Sequence, residues 1–199
     1  ETLTFSYDPR GNPLRLAGNG AYVSNSIYSP FGEPLQYALG NTSGKTSWQT
    51  FSYEDSTRRL SRLQVDRQSV ATSDADLNYS YDPAGNVTKI ADTPSGKPVD
   101  TQCFRYDYLR RLTESWTATD DCAANPALAV VGGPAPYWHT HDYDPVGNRL
   151  SEVQHASTGD TTRTFTYPAP GAARPHAVSS IAETGPGGAK SYSYGYDNA

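Results

Sequence analysis

The sequence predicts an all-β fold, an array of antiparallel β-hairpins, and three observations lead to that prediction. A pattern of Tyr-Asp-Pro-x-Gly-Asn occurs three times, at residues 7–12, 81–86 and 143–148. Polar and apolar residues alternate before each copy. The 199 residues include 15 Tyr, 17 Gly and 15 Pro but only 36% hydrophobic residues, which indicates many short strands and turns without a thick core.

The first element of each unit is a strand that ends at the motif tyrosine. Leu3, Phe5 and Tyr7 fall on one face, and the threonines and serine between them fall on the other. A period of two is the signature of a half-buried strand. The same alternation recurs at Leu77, Tyr79 and Tyr81, at Phe165 and Tyr167, and at Tyr192, Tyr194 and Tyr196.

The motif itself predicts a turn, and a second strand follows it. Asp8, Pro9 and Gly11 match the first, second and fourth positions of a type I turn, where the Asp can accept backbone hydrogen bonds and Gly permits a positive φ. The strands after the turn include residues 14–16, 87–90 and 150–153. The motif residues expected to build the repeat are Tyr7, Asp8, Gly11, Asn12, Tyr81, Asp82, Gly85, Asn86, Tyr106, Asp107, Tyr143, Asp144, Gly147 and Asn148.

Looser copies of the motif complete one repeat array over residues 1–199. Tyr7 and Tyr196 are 189 residues apart in seven steps, a mean of 27. An insertion at 117–137 is expected to project as a loop. The absence of Met and the motif that begins at the last residues predict a fragment cut at both ends. The units begin near Tyr7, Tyr28, Tyr53, Tyr81, Tyr106, Tyr143, Tyr167 and Tyr196.

Charge and hydropathy argue against two classes of function. The formal net charge is −5, and the pairs Arg58-Arg59 and Arg110-Arg111 are too small for a phosphate-binding stripe; we interpret them as solvated strand ends. No segment approaches the ~20 apolar residues of a membrane-spanning helix. Neither a nucleic-acid partner nor a membrane span is therefore expected.

The repeats closely resemble those of the RHS/YD-repeat family of bacterial polymorphic toxins, wall-associated proteins and teneurin shells. The resemblance rests on the three strict copies and covers essentially the whole chain. It implies a curved, spiralling β-sheet that forms part of a hollow shell around a C-terminal toxin cargo. It also implies a secreted or cell-surface location and, as partners, the remaining repeats and the cargo of the same polypeptide.

The resemblance leaves a second function open, and it does not extend to an enzyme. Exposed tyrosines could instead form a carbohydrate-binding adhesion module that contacts cell-surface glycans. Each D-P-x-G sequence here is followed by Asn within an ordinary repeat, so the family's self-cleaving end is not matched. We expect no catalytic residues and no cofactor. Open sheet edges at both ends could support self-association.

Histidine and cysteine residues offer two further candidate sites. His139 and His141 would share a strand face beside Asp142 and Asp144, but two histidines without a third clear ligand fall short of a zinc pattern, so no metal is expected. Cys103 and Cys122 are 19 residues apart without a CxxC spacing. In a secreted chain such a pair favours a disulfide, and two buried free thiols are the alternative.

Overall fold

The computed structural model describes residues 1–40 and 45–197 of the chain. In these ranges it contains fifteen strands and no helix, so nothing there could cross a membrane as a helix. The predicted all-β class is confirmed. The strands are β1 (Thr4–Tyr7), β2 (Pro13–Ala17), β3 (Ala21–Tyr28), β4 (Pro34–Leu39), β5 (Ser47–Tyr53), β6 (Leu60–Arg67), β7 (Ala75–Tyr81), β8 (Val87–Asp92), β9 (Asp100–Tyr106), β10 (Leu112–Thr117), β11 (Trp138–Tyr143), β12 (Arg149–Gln154), β13 (Thr161–Thr166), β14 (Ser180–Thr184) and β15 (Lys190–Ser193).

The chain forms two compact units. Unit 1 comprises Glu1–Tyr81 and Lys89–Asp100, and unit 2 comprises Asp82–Thr88 and Thr101–Ala199. In unit 1, β1 to β7 pair antiparallel in chain order. In unit 2, β9 to β15 do the same. Each neighbour in the chain is thus the neighbour in the sheet, as the hairpin array predicts. The extension of a single array over 1–199 stays a prediction, and residues 198–199 lie outside the described residues.

The register shifts at the tyrosine that ends the first strand of several hairpins. Such shifts occur between Ser6 and Tyr7, and at Tyr28, Tyr53 and Tyr143. A bulge of this kind accompanies a turn that contains one residue with a positive φ, because that turn adds an unpaired residue to one strand. The turn motif therefore determines where the tyrosine points.

Each unit has two chemically different faces, which we call the aromatic face and the polar face. In unit 1, Phe51, Leu63 and Leu77 lie opposite one another on the aromatic face of adjacent strands. Tyr37 joins them, with its ring centroid 5.5 Å from that of Phe51. The polar face bears a row of Gln36, Thr50, Gln64 and Asp76.

Unit 2 repeats this division between its faces. Phe165, Ile181 and Tyr192 are directly opposed on the aromatic face of β13, β14 and β15. Thr164, Ala182 and Ser191 are opposed on the polar face. The predicted period-two alternation therefore holds in β13 to β15, where it places the large apolar side chains on one face and the small ones on the other.

The main buried cluster of the described residues lies on the polar face of unit 2. Cys103, Trp116 and Ala118 are 0%, 3% and 6% exposed, and Cys122 and Trp138 pack against them. The insertion covers this cluster and does not project: Ala118 forms a β-bridge with Val131, and Thr119 N donates to the Val130 carbonyl at 2.9 Å. The loop was expected to project, but its two ends pair with each other, and Ala118 and Cys122 pack in the buried cluster.

Candidate functional site

The repeat turn is held by its aspartate, as the copy at Asp144 shows. Asp144 Oδ1 accepts from the backbone N of Val146 at 3.0 Å and of Asn148 at 2.8 Å, and Oδ2 accepts from Asn148 Nδ2 at 2.8 Å. Gly147 N donates to the Asp144 carbonyl at 3.1 Å. Partial burial would raise the pKa of Asp144, but the hydrogen bonds from Asn148 outweigh it and keep that pKa below its ordinary value.

The other two strict copies have the same geometry. Asp8 and Asp82 each accept from the backbone N and the side-chain amide of the motif Asn, at distances from 2.7 to 2.9 Å. The motif glycines Gly11, Gly85 and Gly147 have φ of 86°, 94° and 97°. A side chain at such φ values is strained, so glycine is the favoured residue at this position of the strict copies.

We predict that Gly147→Ala lowers the free energy of unfolding by about 1 to 2 kcal/mol, because alanine is strained at this positive φ. Open space surrounds the glycine, so the loss reports backbone strain alone. Gly187→Ala is the matched control, since Gly187 also has open space but no positive φ. Chemical denaturation checks this, and equal losses for the two variants would contradict it.

Degenerate copies of the turn keep its geometry with other residues. Arg110 occupies the glycine position with φ of 62°, and Arg58, in a turn that is one residue longer, has φ of 59°. Arg111 replaces the motif Asn, and its Nε donates to Asp107 Oδ2 at 2.7 Å. At the second repeat Ser29 replaces the Asp, and its Oγ accepts from the backbone N of Phe31 at 3.1 Å. The letters vary, but the hydrogen bonds of the turn remain.

Each repeat tyrosine after the first donates its hydroxyl hydrogen bond to the hairpin before it. The acceptor is always the carbonyl of a residue within two positions of the start of the second strand of that hairpin, and we call this bond the tyrosine latch. Three latches lie in unit 1: Tyr28 to Pro13 at 2.7 Å, Tyr53 to Pro34 at 2.8 Å and Tyr81 to Leu60 at 2.7 Å. Four lie in unit 2: Tyr106 to Val87 at 2.9 Å, Tyr143 to Leu112 at 2.8 Å, Tyr167 to Arg149 at 3.0 Å and Tyr196 to Val178 at 2.9 Å.

The latch explains why the repeats use Tyr in preference to Phe. Burial raises the pKa of Tyr81, Tyr106 and Tyr143, so these hydroxyls keep their proton and act as donors. The ring covers the neighbouring hairpin while the hydroxyl satisfies a carbonyl at the end of its turn. Tyr7, on the end strand β1, is 58% exposed. The latch therefore links successive hairpins in one direction along the chain.

Replacing Tyr143 with Phe is expected to lower the free energy of unfolding by about 1 kcal/mol, since the ring stays and the Leu112 carbonyl loses its donor. Tyr108→Phe is the control, because Tyr108 is 90% exposed and lies outside the latch series. Urea denaturation of both variants tests this. A loss shared equally by the two would assign the effect to the hydroxyl in general and not to the latch.

Arginines reinforce the latches, a role that the sequence did not indicate. Arg111 Nη1 donates to the Asp144 carbonyl at 2.7 Å, and its guanidinium lies 4.9 Å from the ring centroid of Tyr143. Arg59 lies 5.4 Å from the centroid of Tyr81. Such cation–π contacts are favourable. These members of the two arginine pairs are therefore contacts between hairpins and not merely solvated strand ends.

The two strand histidines lie together on the aromatic face. The ring centroids of His139 and His141 are 6.5 Å apart, and His141 Nδ1 lies 3.9 Å from Glu152 Oε2. Burial lowers the pKa of both histidines. Within the described ranges, no group of three or more His, Cys, Asp or Glu residues has a metal-binding arrangement.

A hydrogen-bonded chain of three side chains, which the sequence did not indicate, lies on the polar face. Thr140 Oγ1 is 3.1 Å from His155 Nε2, and His155 Nδ1 is 3.0 Å from Asp160 Oδ2. The order resembles a charge relay, but the Trp138 ring stacks on His155 at 4.0 Å between centroids. Asp160 also accepts from the backbone N of Ala156 at 3.4 Å. We interpret these hydrogen bonds as contacts that fix the loop between β12 and β13.

The two cysteines are brought together by the insertion. Cys103 Sγ and Cys122 Sγ are joined at 1.94 Å, and the Cα atoms are 5.8 Å apart. Cys103 lies on β9 directly opposite Trp116 of β10, and Cys122 comes from the loop above them. The geometry supports the disulfide prediction, which a chemical measurement must decide.

Comparison with known proteins finds toxin subunits among the relatives. The chain is 31% identical over 153 residues to "Toxin subunit YenC1" of Yersinia entomophaga, covering 68% of this chain and 15% of the relative. It is 29% identical over 170 residues to "Toxin subunit YenC2" of the same organism, covering 72% of this chain and 17% of that relative. This chain therefore spans about a sixth of the length of these relatives. No protein-family model matches it.

Solved structures share the fold. The chain aligns over 96% of its length with 8% of a chain in the crystal structure of TcdB2-TccC3-Cdc42, at a TM-score of 0.51 and 21% identity. It aligns over 90% of its length with 11% of a chain in the Photorhabdus luminescens Tc holotoxin pore, at a TM-score of 0.58 and 17% identity. The repeated turns and latches, the relatives and the shared all-β fold agree: the chain belongs to the RHS/YD-repeat family.

Proposed function

We propose that this chain is a wall segment of an RHS-type shell, which contains or presents a toxin cargo carried elsewhere in the same polypeptide. The observation that carries the proposal is the series of seven tyrosine latches, three in unit 1 and four in unit 2. Each latch joins a hairpin to its predecessor, so an array can lengthen by adding units without changing the contact. Repetition of one structural contact suits a wall, whereas a catalytic site is needed only once.

The two faces of each unit suggest which side of the wall is enclosed. Large apolar surfaces are unstable in water, so the aromatic face, with Phe51, Leu63, Phe165 and Ile181, suits the enclosed side. The polar face, with its threonines and serines, suits solvent. The insertion with Cys122 packs on the polar face and would therefore lie on the outside of the wall.

Partners, location and the lack of catalysis belong to the same proposal. The relatives are named as toxin subunits, which supports a secreted toxin complex in which the other repeats and the cargo are the partners. The segment acts by containment and is not itself an enzyme. Cell-surface location and self-association through the end strands β1 and β15 remain predictions from the sequence.

A glycan-binding module is the alternative function, and the latches weigh against it. A sugar site of this kind needs aromatic rings that are exposed and not engaged with the rest of the protein. In the repeats, the hydroxyls of Tyr81, Tyr106 and Tyr143 instead donate to backbone carbonyls. The rings that carry the repeat pattern are thus used between hairpins, and we do not propose a carbohydrate site.

Cysteine labelling of adjacent residues on opposite faces tests the proposal. Ile181→Cys places a thiol on the aromatic face of β14 and Ala182→Cys places one on the polar face, next to Ser191. The parent protein, with only its native Cys103 and Cys122, is labelled in parallel to give the background. The reagent is a maleimide attached to a polyethylene glycol chain too large to enter a closed shell.

The expected result is selective labelling in the longest polypeptide that contains this chain. There, Ala182→Cys reacts and Ile181→Cys is protected, while in the isolated 199-residue chain both positions react. Unfolding the long protein should expose Ile181→Cys, which controls for its reactivity. Equal labelling of both positions in the folded long protein would contradict an enclosing wall.

A further inference from the structure

Five charged or ionisable residues form a straight row across the aromatic face of unit 2. Adjacent strands place each member directly opposite the next, in the pairs His141–Glu152, Glu152–Arg163, Arg163–Glu183 and Glu183–Lys190. The row runs from β11 to β15, one residue per strand, and alternates between basic and acidic side chains. Opposite charges in directly facing positions stabilise a sheet.

The two acids in the row are buried and already matched by cations. Glu183 is 5% exposed and accepts from Arg163 Nε at 2.8 Å and from Lys190 Nζ at 3.0 Å. Glu152 is 8% exposed and accepts from Arg163 Nη1 and from Arg149 Nη1, both at 3.0 Å. With His141 neutral, three cations face two carboxylates, so this face already has an excess of positive charge.

His141 occupies the end of the row in a position that does not accommodate another cation. Its side chain is 8% exposed, and its Nδ1 is buried without a hydrogen-bond partner, 3.9 Å from Glu152 Oε2. Glu152, the carboxylate directly opposite His141, already pairs with two guanidinium groups. The other groups that act on the two strand histidines are Arg149, Arg163, Asp142 and His155.

We propose that this row makes unit 2 responsive to acid: uptake of a proton by His141, below neutral pH, weakens the pairing of β11 with β12 and loosens the aromatic face. The proton brings a fourth cation to a face with two carboxylates. His139, with its ring centroid 6.5 Å away, adds a fifth when it is protonated. Protonated His141 is attracted to Glu152. However, its charge is buried away from water, and it repels Arg149.

The direction of the pH dependence follows from the histidine pKa values. Burial lowers the pKa of His141 and of His139 below the ordinary 6.5 in the folded state, although Glu152 opposes this. The unfolded chain therefore takes up protons first as pH falls, so the stability of the fold declines below about pH 6.5. Burial would raise the pKa of Glu152, but Gln154, Arg149 and Arg163 hold it below 4.5, so that carboxylate titrates at a lower pH.

Hydrogen exchange of the 199-residue chain, at about pH 7.5 and about pH 5.5, tests the proposal across the histidine range. After correction for intrinsic exchange, the protection of residues 138–143 and 149–154 is expected to fall severalfold at the lower pH. Unit 1 is an internal control, because all four histidines lie after residue 138. Its strands β5 and β6 should keep their protection.

Two variants identify the responsible residue. His141→Gln, which stays neutral, is expected to remove most of the drop, whereas His176→Gln, at an exposed residue that contacts Asn148, should leave the drop intact. The assignment would be overturned if His141→Gln still showed the full drop in protection. It would also be overturned if the drop disappeared in His155→Gln alone. If His141→Gln does not fold, NMR titration of the wild-type imidazole decides: a midpoint at or above the ordinary value overturns the proposal. None of these results depends on the wall function, which the labelling experiment tests separately.

Discussion

Replacing Trp116 with alanine is expected to lower the free energy of unfolding of unit 2 by about 3 to 5 kcal/mol, the largest loss for any substitution considered. Trp116 is 3% exposed and packs with Cys103 and Ala118 in a sheet that otherwise buries few side chains completely. Its ring also lies 5.0 Å from the guanidinium of Arg105. Alanine would leave a cavity beneath the insertion, which would lose its main apolar contact.

Two further substitutions separate the packing of the Trp116 ring from effects of the indole N–H and of the insertion. Trp116→Phe is expected to lose much less, because it keeps a ring in place and removes an indole N–H that is buried without a partner. Leu128→Ala controls for the insertion itself, since Leu128 is 49% exposed. Chemical denaturation followed by far-ultraviolet circular dichroism measures all three. A loss for Trp116→Ala no larger than that of Leu128→Ala would contradict the assigned core.

Breaking the Cys103–Cys122 bond is expected to lower the free energy of unfolding by about 3 kcal/mol. The bond closes a loop of 19 residues, which restricts the unfolded chain. It also holds the insertion over Trp116, so reduction should increase exchange at residues 118–131. The double variant Cys103→Ala, Cys122→Ala should reproduce the loss without any reductant.

The same experiment decides between the disulfide and two free thiols. The chain purified without reductant should be lighter than the reduced chain by two hydrogen atoms and should not react with a maleimide until it is reduced. The double alanine variant, treated with reductant, should show no further loss of stability. A purified chain that reacts with two maleimides while folded would reject the disulfide.

The turns are the part of the structure that the sequence predicted best. Asp8, Pro9 and Gly11 act locally, so their spacing alone indicated the turn, and the hydrogen bonds of Asp8 and the φ of Gly11 agree. Period-two alternation likewise indicated the two faces of the strands. The turn motif and the alternation each involve only residues that are close in sequence, and such residues are also close in space.

Contacts between hairpins could not be predicted, because they depend on register. The acceptor for Tyr143 is the Leu112 carbonyl, 31 residues earlier, and an insertion separates the two. The row from His141 to Lys190 spans five strands and is aligned only by pairing. Arg111 could be recognised as a substitute for the motif Asn only once its Nε was seen beside Asp107. A one-residue shift in register would have placed any of these side chains on the other face.

The insertion shows how residues outside the repeat can mislead. Its Ala, Pro and Gly content indicated a loop, and a loop was expected to project into solvent. Three anchors instead hold it down: the β-bridge of Ala118 with Val131, the hydrogen bond from Thr117 N to the Tyr137 carbonyl at 3.0 Å, and Cys122. The sequence could not indicate these partners of Ala118 and Thr117, because they become neighbours only when the two ends of the insertion come together in the fold.

Cryo-electron microscopy of the longest polypeptide that contains this chain tests the wall function most directly. We expect these hairpins within a continuous β-wall, with the hydroxyls of Tyr81 and Tyr143 bonded to the preceding hairpin and Phe165 and Ile181 facing an enclosed cavity that contains the cargo. An open sheet with solvent on both faces, or a cargo bound outside on the polar face, would contradict the proposed function.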